Sequence, residues 1–351
     1  MTTEKKKILF VTHRVYGGGA ERVLTVLANY LSGQDYKVFI LVRKKSIGSY
    51  YISPDINIKY LEIQSHLKYI YSLRKEIKAI NPDNVIAFEY FYNLCAIVAC
   101  AGIKTNLIVS ERNDPSIVGS GIIKDRLRNF LYRFCDTLIC QTNDALHYFP
   151  PYIQQHAVVI LNPLKDNLPN RFEGSRTSRV VSFCRLYRQK NLPLLISAFS
   201  EFYKNHQEYK LEIYGNGPER EALLQLVKKA GLEKVIKIQN AMDNVHELII
   251  DSRIFVLPSD YEGLSNSMLE AMAIGLPVIC TDCPCGGARM VIENMENGIL
   301  IPVGDKDKLM DSMDLLARDD SLCKRLSENA EKLKKTLSIS KIGSQWIKIL
   351  K

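Results

Sequence analysis

Short runs of consecutive apolar residues alternate along the chain with longer segments in which apolar residues recur every three or four positions. Lys7–Thr12 (KILFVT) is typical of a buried strand, and the segment from about Ala20 to Leu31 has its apolar residues at helical spacing. Further strands are predicted at 84–88, 106–110, 179–184 and 254–257. Buried strands that alternate with helices predict an α/β fold with parallel sheets and helices on both faces.

The alternation is interrupted between Asn162 and Ser178. This stretch holds two prolines, mixed charges and no apolar periodicity, so the sequence predicts a linker between two α/β domains, residues 1–165 and 176–338. The chain ends in a segment, 339–351, with one apolar helical stripe that includes Trp346. Such a stripe either packs on a domain or lies on a membrane surface.

The most constrained stretch is Pro258–Pro284, which reads PSDYEGLSNSMLEAMAIGLPVICTDCP. An apolar run ends at Leu257, a loop follows, and a helix is predicted to stop at Gly275 before the next strand. In doubly wound parallel sheets, ligands bind outside the carboxyl ends of the strands. The loop Ser259–Ser265 is therefore the predicted ligand site.

Two acids, Glu262 and Glu270, lie in this loop and in the helix after it, with seven residues between them. The backbone amides at the start of the helix, those of Leu264, Ser265 and Asn266, are of the kind that attracts a phosphate or a sugar oxygen. Alternatively, Ser267 and Glu270 form a capping box, and Glu262 is a solvated loop acid.

The whole stretch resembles the family 4 retaining glycosyltransferases, whose mark is Glu-x7-Glu within S-x-x-E-G-x-x-x-x-x-L-E-A-M-A-x-G-x-P-V-I. The resemblance implies a GT-B fold, in which two Rossmann-like domains face each other across a cleft. It implies a nucleoside-diphosphate sugar donor held mainly by the second domain, with Glu262 on the donor sugar and Glu270 on the ribose hydroxyls. Gly263 and the amides that follow it would orient the sugar. It also implies that the last helix, 339–351, joins the first domain.

Arg185 ends a predicted strand and Lys190 follows five residues later. The pattern V-x-F-x-R-L-x-x-x-K-N is similar to the diphosphate clamp of the family. Fixed cations stabilise the negative charge that a leaving diphosphate gains, although two surface cations are the alternative. The resemblance also implies donor contacts from two glycine loops, which contain Gly17, Gly18, Gly215 and Gly217. A plain turn is the alternative for the second loop, and a dehydrogenase fingerprint fails at the first because Arg22 replaces its third glycine.

Three polar residues, Glu89, Arg112 and Asn113, follow predicted strands in the first domain and are candidate acceptor residues. The loop Asn113–Gly121 is a candidate mobile acceptor loop. Many relatives carry a histidine near it that contacts the donor sugar, whereas none of the six histidines lies there in this chain. Arg112 or Asn113 would have to take that role.

The net charge of +9 is uneven: residues 1–165 hold 21 Lys and Arg against 13 Asp and Glu, and the remainder holds 26 against 25. A basic first half favours an anionic partner, and because no nucleic-acid-binding motif is present, an anionic membrane surface or a diphosphate-linked acceptor fits best. The chain has no apolar run of about 20 residues and Met1–Lys7 has no signal-peptide core, which predicts a cytoplasmic protein.

The nine cysteines are scattered, which favours reduced thiols. Cys280, Cys283 and Cys285 cluster without a second pair of ligands, so we expect no zinc site. Asp305-Lys306-Asp307 matches the metal-binding D-x-D pattern, but Asp305 precedes an amphipathic helix and is predicted to cap it. No metal and no cofactor are expected.

The resemblance therefore implies a retaining, metal-independent hexosyltransferase. It would move a hexose or N-acetylhexosamine from a nucleoside diphosphate, with UDP expected, to a saccharide acceptor linked to a polyprenyl diphosphate. Its local wording is similar to that of enzymes of capsule, O-antigen or glycan-intermediate assembly, which implies a peripheral position on the inner face of the plasma membrane. The alternatives are a nucleotide-sugar epimerase or phosphorylase of the same fold and a non-catalytic carbohydrate-binding protein.

Overall fold

The computed structural model describes residues 5–45, 48, 50–119 and 121–351. The chain divides into two compact units: an N-terminal unit of Met1–Lys165 with Leu337–Lys351, and a C-terminal unit of Asp166–Thr336. Within the described ranges, no helix is long and apolar enough to cross a membrane.

The N-terminal unit is built on a seven-stranded parallel sheet with the order β3-β2-β1-β4-β5-β6-β7. The strands are β1 (Lys6–Thr12), β2 (Tyr36–Val42), β3 (Asn57–Tyr60), β4 (Asn84–Phe88), β5 (Asn106–Ser110), β6 (Thr137–Cys140) and β7 (Ala157–Val159). All residues of the central strands β4 and β5 are buried, as expected of a parallel sheet that is covered on both faces. Strand order reverses between β1 and β4, which defines the switch point where ligands bind in such sheets.

The helices of this unit are α1 (Gly19–Ser32), α2 (His66–Ile80), α3 (Tyr90–Cys100), α4 (Ile122–Leu131), α5 (Asn143–Tyr148), α6 (Pro151–Gln154) and, from the end of the chain, α14 (Ile339–Ile347). A 3-10 helix, Tyr132–Phe134, follows α4.

The apolar stripe of α14 packs on the N-terminal unit. Trp346 is buried and stacks on Phe88 with the ring centroids 5.9 Å apart. Asn84 at the start of β4 fixes the last residue, since its side chain donates to the Lys351 carbonyl oxygen at 3.1 Å and accepts from the Lys351 amide at 2.9 Å.

The C-terminal unit holds a six-stranded parallel sheet with the order β10-β9-β8-β11-β12-β13. Its strands are β8 (Thr177–Phe183), β9 (Lys210–Tyr214), β10 (Ile236–Gln239), β11 (Ser252–Leu257), β12 (Val278–Thr281) and β13 (Ile299–Ile301). Its helices are α7 (Leu192–Tyr203), α8 (Arg220–Lys229), α9 (Val245–Ile249), α10 (Asn266–Ala273), α11 (Lys306–Arg318), α12 (Asp320–Glu331) and α13 (Leu333–Thr336), with a 3-10 helix at Arg188–Lys190. The switch point lies between β8 and β11.

The predicted linker, residues 162–178, contains the boundary between the two units and has no helix or strand before Thr177, but it is not a free connection. Asn162 and Leu164 are buried in the N-terminal unit, and the Leu164 amide donates to the Leu337 carbonyl at 2.8 Å. Arg176 is bound into the C-terminal unit, where its guanidinium donates to the Ile250 carbonyl at 3.0 Å and to the Gly275 carbonyl at 2.6 Å. Two prolines and a lack of periodicity marked an irregular segment, but each half of it packs on its own unit.

Candidate active site

The loop between β11 and α10 is held by the segments that follow the neighbouring strands β8 and β12. After β8, Gln189 accepts from the Asp260 amide at 2.9 Å through its carbonyl and donates to the Tyr261 carbonyl at 2.7 Å through its side chain. After β12, the Pro284 carbonyl accepts from the Glu262 amide at 3.0 Å. The loop is therefore a fixed part of the carboxyl edge of the sheet, at the switch point.

Lys190, in the 3-10 helix after β8, forms a hydrogen-bonded ion pair with Glu262 in this loop. Lys190 Nζ donates to Glu262 Oε1, which also accepts from Ser259 Oγ at 2.8 Å. The side chains of Lys190 and Glu262 are only 8% and 13% exposed. The structure thus brings together the predicted diphosphate cation and the predicted sugar-binding acid, which the sequence treated as separate groups.

The cysteines around this pair are neutral thiols. Burial raises the pKa of Cys283 to about 12, with the nearby charge of Glu262 as a further cause, and burial likewise raises the pKa of Cys280. Cys285 is buried as well. Since a thiol must lose its proton to act as a nucleophile or a metal ligand, these residues serve as small apolar side chains.

Glu270 is buried on α10 and pairs with a residue that the sequence analysis did not single out. His246 Nε2, on α9, lies 3.0 Å from Glu270 Oε2, and both side chains are at most 4% exposed. Because an ionised carboxylate only accepts hydrogen bonds, His246 is the donor. Phe183 packs on the His246 ring with the ring centroids 5.2 Å apart. Within the described chain, the second ring nitrogen, Nδ1, has no hydrogen-bond partner.

The capping-box alternative for Glu270 is wrong. The helix begins at Asn266 with Ser265 at the N-cap position, so Ser267 is a helical residue and Glu270 lies beyond the first turn. Leu264 and Ser265 are buried, and Ser265 Oγ lies 3.0 Å from Ser267 Oγ. The Gly263 carbonyl packs closely on Gly287, where a Cβ would overlap its oxygen, so this contact requires glycine at position 287.

Arg185 is exposed directly after β8. Its guanidinium carbon lies 5.0 Å from the centre of the Tyr187 ring, and it has no acidic partner among the described residues. The charge of Arg185 is thus available to a ligand at the same edge of the sheet as the Lys190–Glu262 pair.

The glycines after β9 approach the backbone that carries Arg185. A Cβ on Gly215 would overlap the carbonyl oxygen of Cys184, and one on Gly217 would overlap that of Leu186. The Leu186 amide donates to the Asn216 carbonyl at 2.9 Å, which joins the two loops. Packing between the two loops therefore requires glycine at both positions, independently of any contact with a nucleotide.

In the N-terminal unit, Gly17 and Gly18 precede α1. Gly17 has a φ of +95°, a conformation that favours glycine. A Cβ on Gly18 would overlap the carboxylate of Glu21, which is buried in the first turn of α1, where the helix dipole favours a negative charge.

Glu89, between β4 and α3, has a φ of +73°, which is rare for a residue with a long side chain. Its amide donates to the Ser110 carbonyl at 3.1 Å, and its carbonyl accepts from the Asn93 amide at 2.9 Å. Backbone strain of this kind collects at functional sites. Glu89 lies at the switch point of its sheet, where the sequence predicted an acceptor residue.

Arg112 is half-buried after β5 and is largely committed to the fold. It donates to Asn162 Oδ1 at 2.6 Å and lies over the Phe88 ring at 5.0 Å. Burial lowers the pKa of its guanidinium, and the charge of Glu89 opposes that shift. Asn113 accepts from the Asp114 amide at 2.9 Å through its side chain.

The loop after Asn113 is fixed by a buried arginine, which does not fit a freely mobile loop. Arg128 is fully buried and donates to the Pro115 carbonyl at 2.9 Å. Asp114 is buried as well and accepts from the Ser116 amide at 2.8 Å. One residue of the predicted loop, Ser120, lies outside the described residues.

A histidine does lie at the switch point of this unit, but it comes after β1. His13 Nδ1 lies 2.5 Å from the Tyr92 hydroxyl oxygen and shares a hydrogen bond with it. Burial, and then the charges of Arg14 and Arg43, lower the pKa of His13. Its position immediately after the first buried strand was the signal in the sequence.

The D-x-D pattern is a helix cap, because Asp305 accepts from the Lys308 amide at 2.9 Å through its side chain. Among the described residues, no group of three or more His, Cys, Asp or Glu side chains is arranged to hold a metal ion.

Two family models match the chain and together cover most of it. The model of glycosyl transferases group 1 matches residues 169–333, and that of glycosyltransferase family 4 matches residues 17–167. The chain belongs to these glycosyltransferases.

Two similar relatives of this glycosyltransferase come from Campylobacter jejuni. The GalNAc-alpha-(1->4)-GalNAc-alpha-(1->3)-diNAcBac-PP-undecaprenol alpha-1,4-N-acetyl-D-galactosaminyltransferase is 28% identical over 98% of each chain. The N-acetylgalactosamine-N,N'-diacetylbacillosaminyl-diphospho-undecaprenol 4-alpha-N-acetylgalactosaminyltransferase is 25% identical over 98% of this chain and 99% of its own.

Solved structures confirm the GT-B fold of this glycosyltransferase. Anabaena HepE in complex with UDP is similar over 98% of this chain and 99% of its own, with a TM-score of 0.83 at 18% identity. The sucrose-phosphate synthase of Thermosynechococcus elongatus covers 98% of this chain, with a TM-score of 0.86 at 15% identity.

Proposed function

We propose that this glycosyltransferase transfers a hexose or N-acetylhexosamine from a UDP-sugar to a saccharide linked to a polyprenyl diphosphate, with retention of the anomeric configuration and without a metal ion. The transfer reaction would take place at the cytoplasmic face of the plasma membrane. The observation that carries the proposal is the buried pair of Lys190 and Glu262 at the switch point of the C-terminal unit. It sets a cation for a diphosphate beside a carboxylate for a sugar hydroxyl.

The donor site is built from groups with distinct tasks. Arg185 and Lys190 bind the diphosphate, Glu262 and the amides at the start of α10 orient the sugar, and Glu270, held by His246, receives the ribose hydroxyls. A diphosphate bound at this site competes with Glu262 for the ammonium group of Lys190. The Glu262 carboxylate is then available to accept a hydrogen bond from the donor sugar. Because Glu270 is buried, a hydrogen bond from a ribose hydroxyl to its charged carboxylate would be stronger than the same hydrogen bond in water.

The reaction follows from these charges. The bond between the anomeric carbon and the diphosphate oxygen breaks, and the electron pair leaves with the UDP, whose growing charge Arg185 and Lys190 stabilise. The acceptor hydroxyl attacks the same face of the sugar, and its proton passes to the leaving phosphate oxygen. The products are UDP and the saccharide lengthened by one residue, and no separate protein base is needed.

Support for the acceptor comes from two sources. Both Campylobacter relatives carry undecaprenol-linked diphosphate saccharides in their names. In this chain, residues 1–165 have an excess of eight positive charges, which suits a diphosphate on a lipid. Glu89, Arg112 and Asn113, at the ends of β4 and β5, are the proposed acceptor residues. Of these, Glu89 is the strongest candidate because its backbone is strained.

Thermal-shift measurements test the donor side. UDP and UDP-sugars at about 100 Kd should stabilise the protein by about 2.7 kcal/mol, whereas other nucleoside diphosphates should do less. Lys190→Met should remove the shift. A matched control is Lys204→Met, because Lys204 also belongs to an ion pair, an exposed one with Glu201. Equal shifts from all nucleotides, or a full shift in Lys190→Met, would count against the proposed donor site.

Two other functions would give different products. A nucleotide-sugar epimerase or phosphorylase would convert the UDP-sugar without a saccharide acceptor. A carbohydrate-binding protein would bind UDP or saccharide and release no product from any donor.

A further inference from the structure

Helix α4 turns one charged residue, Arg128, into the protein and leaves most of its apolar residues exposed. The only buried residue of α4 is Arg128. Its guanidinium donates to Asp125 Oδ1 at 2.7 Å and to the Pro115 carbonyl at 2.9 Å, and it lies over the Tyr148 ring at 5.1 Å. An amphipathic helix of a globular protein normally turns its apolar side to the core and its charges to water. In α4 this arrangement is reversed.

The exposed side of α4 carries one apolar stripe. It begins with the adjacent Ile122 and Ile123, and its later members follow at intervals of three or four residues into the 3-10 helix. The exposed fractions are 75%, 83%, 49%, 53% and 60% in the order Ile122, Ile123, Leu127, Phe130 and Phe134. Single exposed apolar residues are common on protein surfaces, but a contiguous stripe of this size marks a binding surface. We call these five residues the α4 stripe.

Positive charges border the α4 stripe, and none of them forms an ion pair with an acid among the described residues. Lys124, Arg126 and Arg133 are exposed. The one acid between residues 121 and 134, Asp125, is turned inward, where it accepts from Arg128 and, at 3.2 Å, from the Tyr148 hydroxyl. The surface therefore joins an apolar stripe to a rim of positive charge only.

We propose that the α4 stripe is a membrane-insertion surface. The helix lies in the plane of an anionic bilayer, its apolar residues enter the boundary between head groups and acyl chains, and Lys124, Arg126 and Arg133 contact anionic lipid head groups. The positive charges around the stripe argue against its being a dimer interface, because a two-fold contact between two copies of this chain would bring like charges together.

This inference rests on the proposed function in one respect: a lipid-linked acceptor gives the enzyme a reason to remain at the membrane. It goes further than the charge excess of residues 1–165, which predicts attraction to anionic lipid but no insertion. The physical difference is that insertion persists when salt screens the charges, whereas purely electrostatic attraction is lost.

The test is co-sedimentation of the full chain with vesicles, in the absence of donor and acceptor. Vesicles of phosphatidylglycerol mixed with phosphatidylcholine are compared with vesicles of phosphatidylcholine alone. The cation variant, Lys124→Ser, Arg126→Ser and Arg133→Ser, should bind the anionic vesicles about a hundredfold more weakly at low salt, since each cation near the surface contributes about a factor of five. The stripe variant, Ile123→Ser, Leu127→Ser and Phe130→Ser, should lose at least tenfold and should lose all of the binding that resists salt.

Matched controls lie in the C-terminal unit, on exposed residues of the same types. Lys228, Lys229 and Lys234 changed to Ser control for charge, and Leu224, Met242 and Leu315 changed to Ser control for apolar surface. Both controls should bind anionic vesicles as the unchanged protein does. Unaltered melting temperatures of all variants establish that they are folded.

Fluorescence gives a second readout. Trp346, the one tryptophan of the chain, is buried against Phe88, so vesicles should leave its emission unchanged. Phe130→Trp should add an emission that shifts to the blue on anionic vesicles. Absence of that shift, or undiminished vesicle binding by the stripe variant, overturns the proposal. A dimer that dissociates on the stripe substitutions, observed by sedimentation velocity, overturns it in favour of a protein contact.

The two proposals fail separately. With a water-soluble short-chain acceptor, the stripe variant should transfer sugar as the unchanged protein does, and only transfer to a vesicle-embedded acceptor should fall. An unchanged protein that binds vesicles but transfers nothing would refute the proposed function and leave the membrane surface standing.

Discussion

Lys190 and Glu262 are bound to each other through a hydrogen-bonded ion pair that is almost fully buried. Each residue therefore has a structural role besides the chemical role that we propose for it, and a single substitution would affect both. Removing one partner of a buried pair leaves the other charge uncompensated, which is more costly than replacing both. The two roles can be separated by comparing single and double variants.

Lys190→Met should lower kcat by about 10²–10³, as loss of a transition-state donor does, and should destabilise the fold by about 3 kcal/mol because Glu262 is left unpaired. The double variant Lys190→Met, Glu262→Gln should recover most of the stability and none of the activity. Denaturant unfolding and initial rates measure the two effects. An active double variant would show that the pair is only structural.

Glu270→Gln should keep its melting temperature, because a glutamine still meets His246, and should bind UDP about tenfold to a hundredfold more weakly. The reason is that two bonds to a charged acceptor become neutral ones, at a cost of roughly 1.5–3 kcal/mol in total. Glu262→Gln is the matched control variant. Its affinity for UDP should stay nearly unchanged, whereas its rate of sugar transfer should fall. Calorimetry with UDP alone distinguishes them, and unchanged affinity in Glu270→Gln would remove Glu270 from the donor site.

His13 should make the protein less stable in mild acid. Its pKa is lowered in the fold, so below its unfolded pKa of about 6.5 the unfolded chain takes up the proton more readily than the folded one. The contribution of His13 to the free energy of unfolding is therefore fully present above its unfolded pKa. It is lost progressively as the pH falls toward the pKa of His13 in the folded protein. His13→Gln should flatten the dependence of the melting temperature on pH between about 7.5 and 5. A dependence in His13→Gln as steep as that of the unchanged protein would contradict this assignment.

Chelation tests the role of the cations. If Arg185 and Lys190 alone balance the charge of the leaving UDP, excess EDTA should leave turnover nearly unchanged, since no step waits for a metal ion. Initial rates before and after dialysis against EDTA measure this. Turnover that is lost and then restored by Mn²⁺ or Mg²⁺ would show that a divalent ion shares that task.

The sequence predicted the parts of this protein that depend on local pattern. Apolar runs and helical spacing gave both parallel sheets, and the strand ends at Phe88, Ser110 and Leu257 fall where ligand-binding loops were predicted. The Glu-x7-Glu spacing located Glu262 and Glu270, but not their partners. His246 is 24 residues from Glu270, and no local pattern connects them. Their contact depends on how α9 and α10 are arranged on the sheet.

Periodicity also does not say which way a helix turns. Because apolar stripes usually face the core, helical spacing alone would turn the apolar residues between Leu127 and Phe134 inward. Arg128 reverses that rule, since arginine is almost never fully buried unless it is paired. Its partners, Asp125 and the carbonyl of Pro115, hold the opposite side inward and leave the apolar stripe in solvent.

The central claim is that this glycosyltransferase transfers one sugar from a UDP-sugar to a lipid-linked saccharide. The most direct test is mass spectrometry of reactions that combine UDP-hexoses or UDP-N-acetylhexosamines with saccharides on a short polyprenyl diphosphate. We predict an acceptor that gains the mass of one sugar, in an α linkage if the donor is α, with release of one UDP per transfer and with a rate about 10²–10³ lower in Lys190→Met. A UDP-sugar that is isomerised or cleaved without the acceptor, or UDP binding with no lengthened acceptor for any donor, would contradict the account.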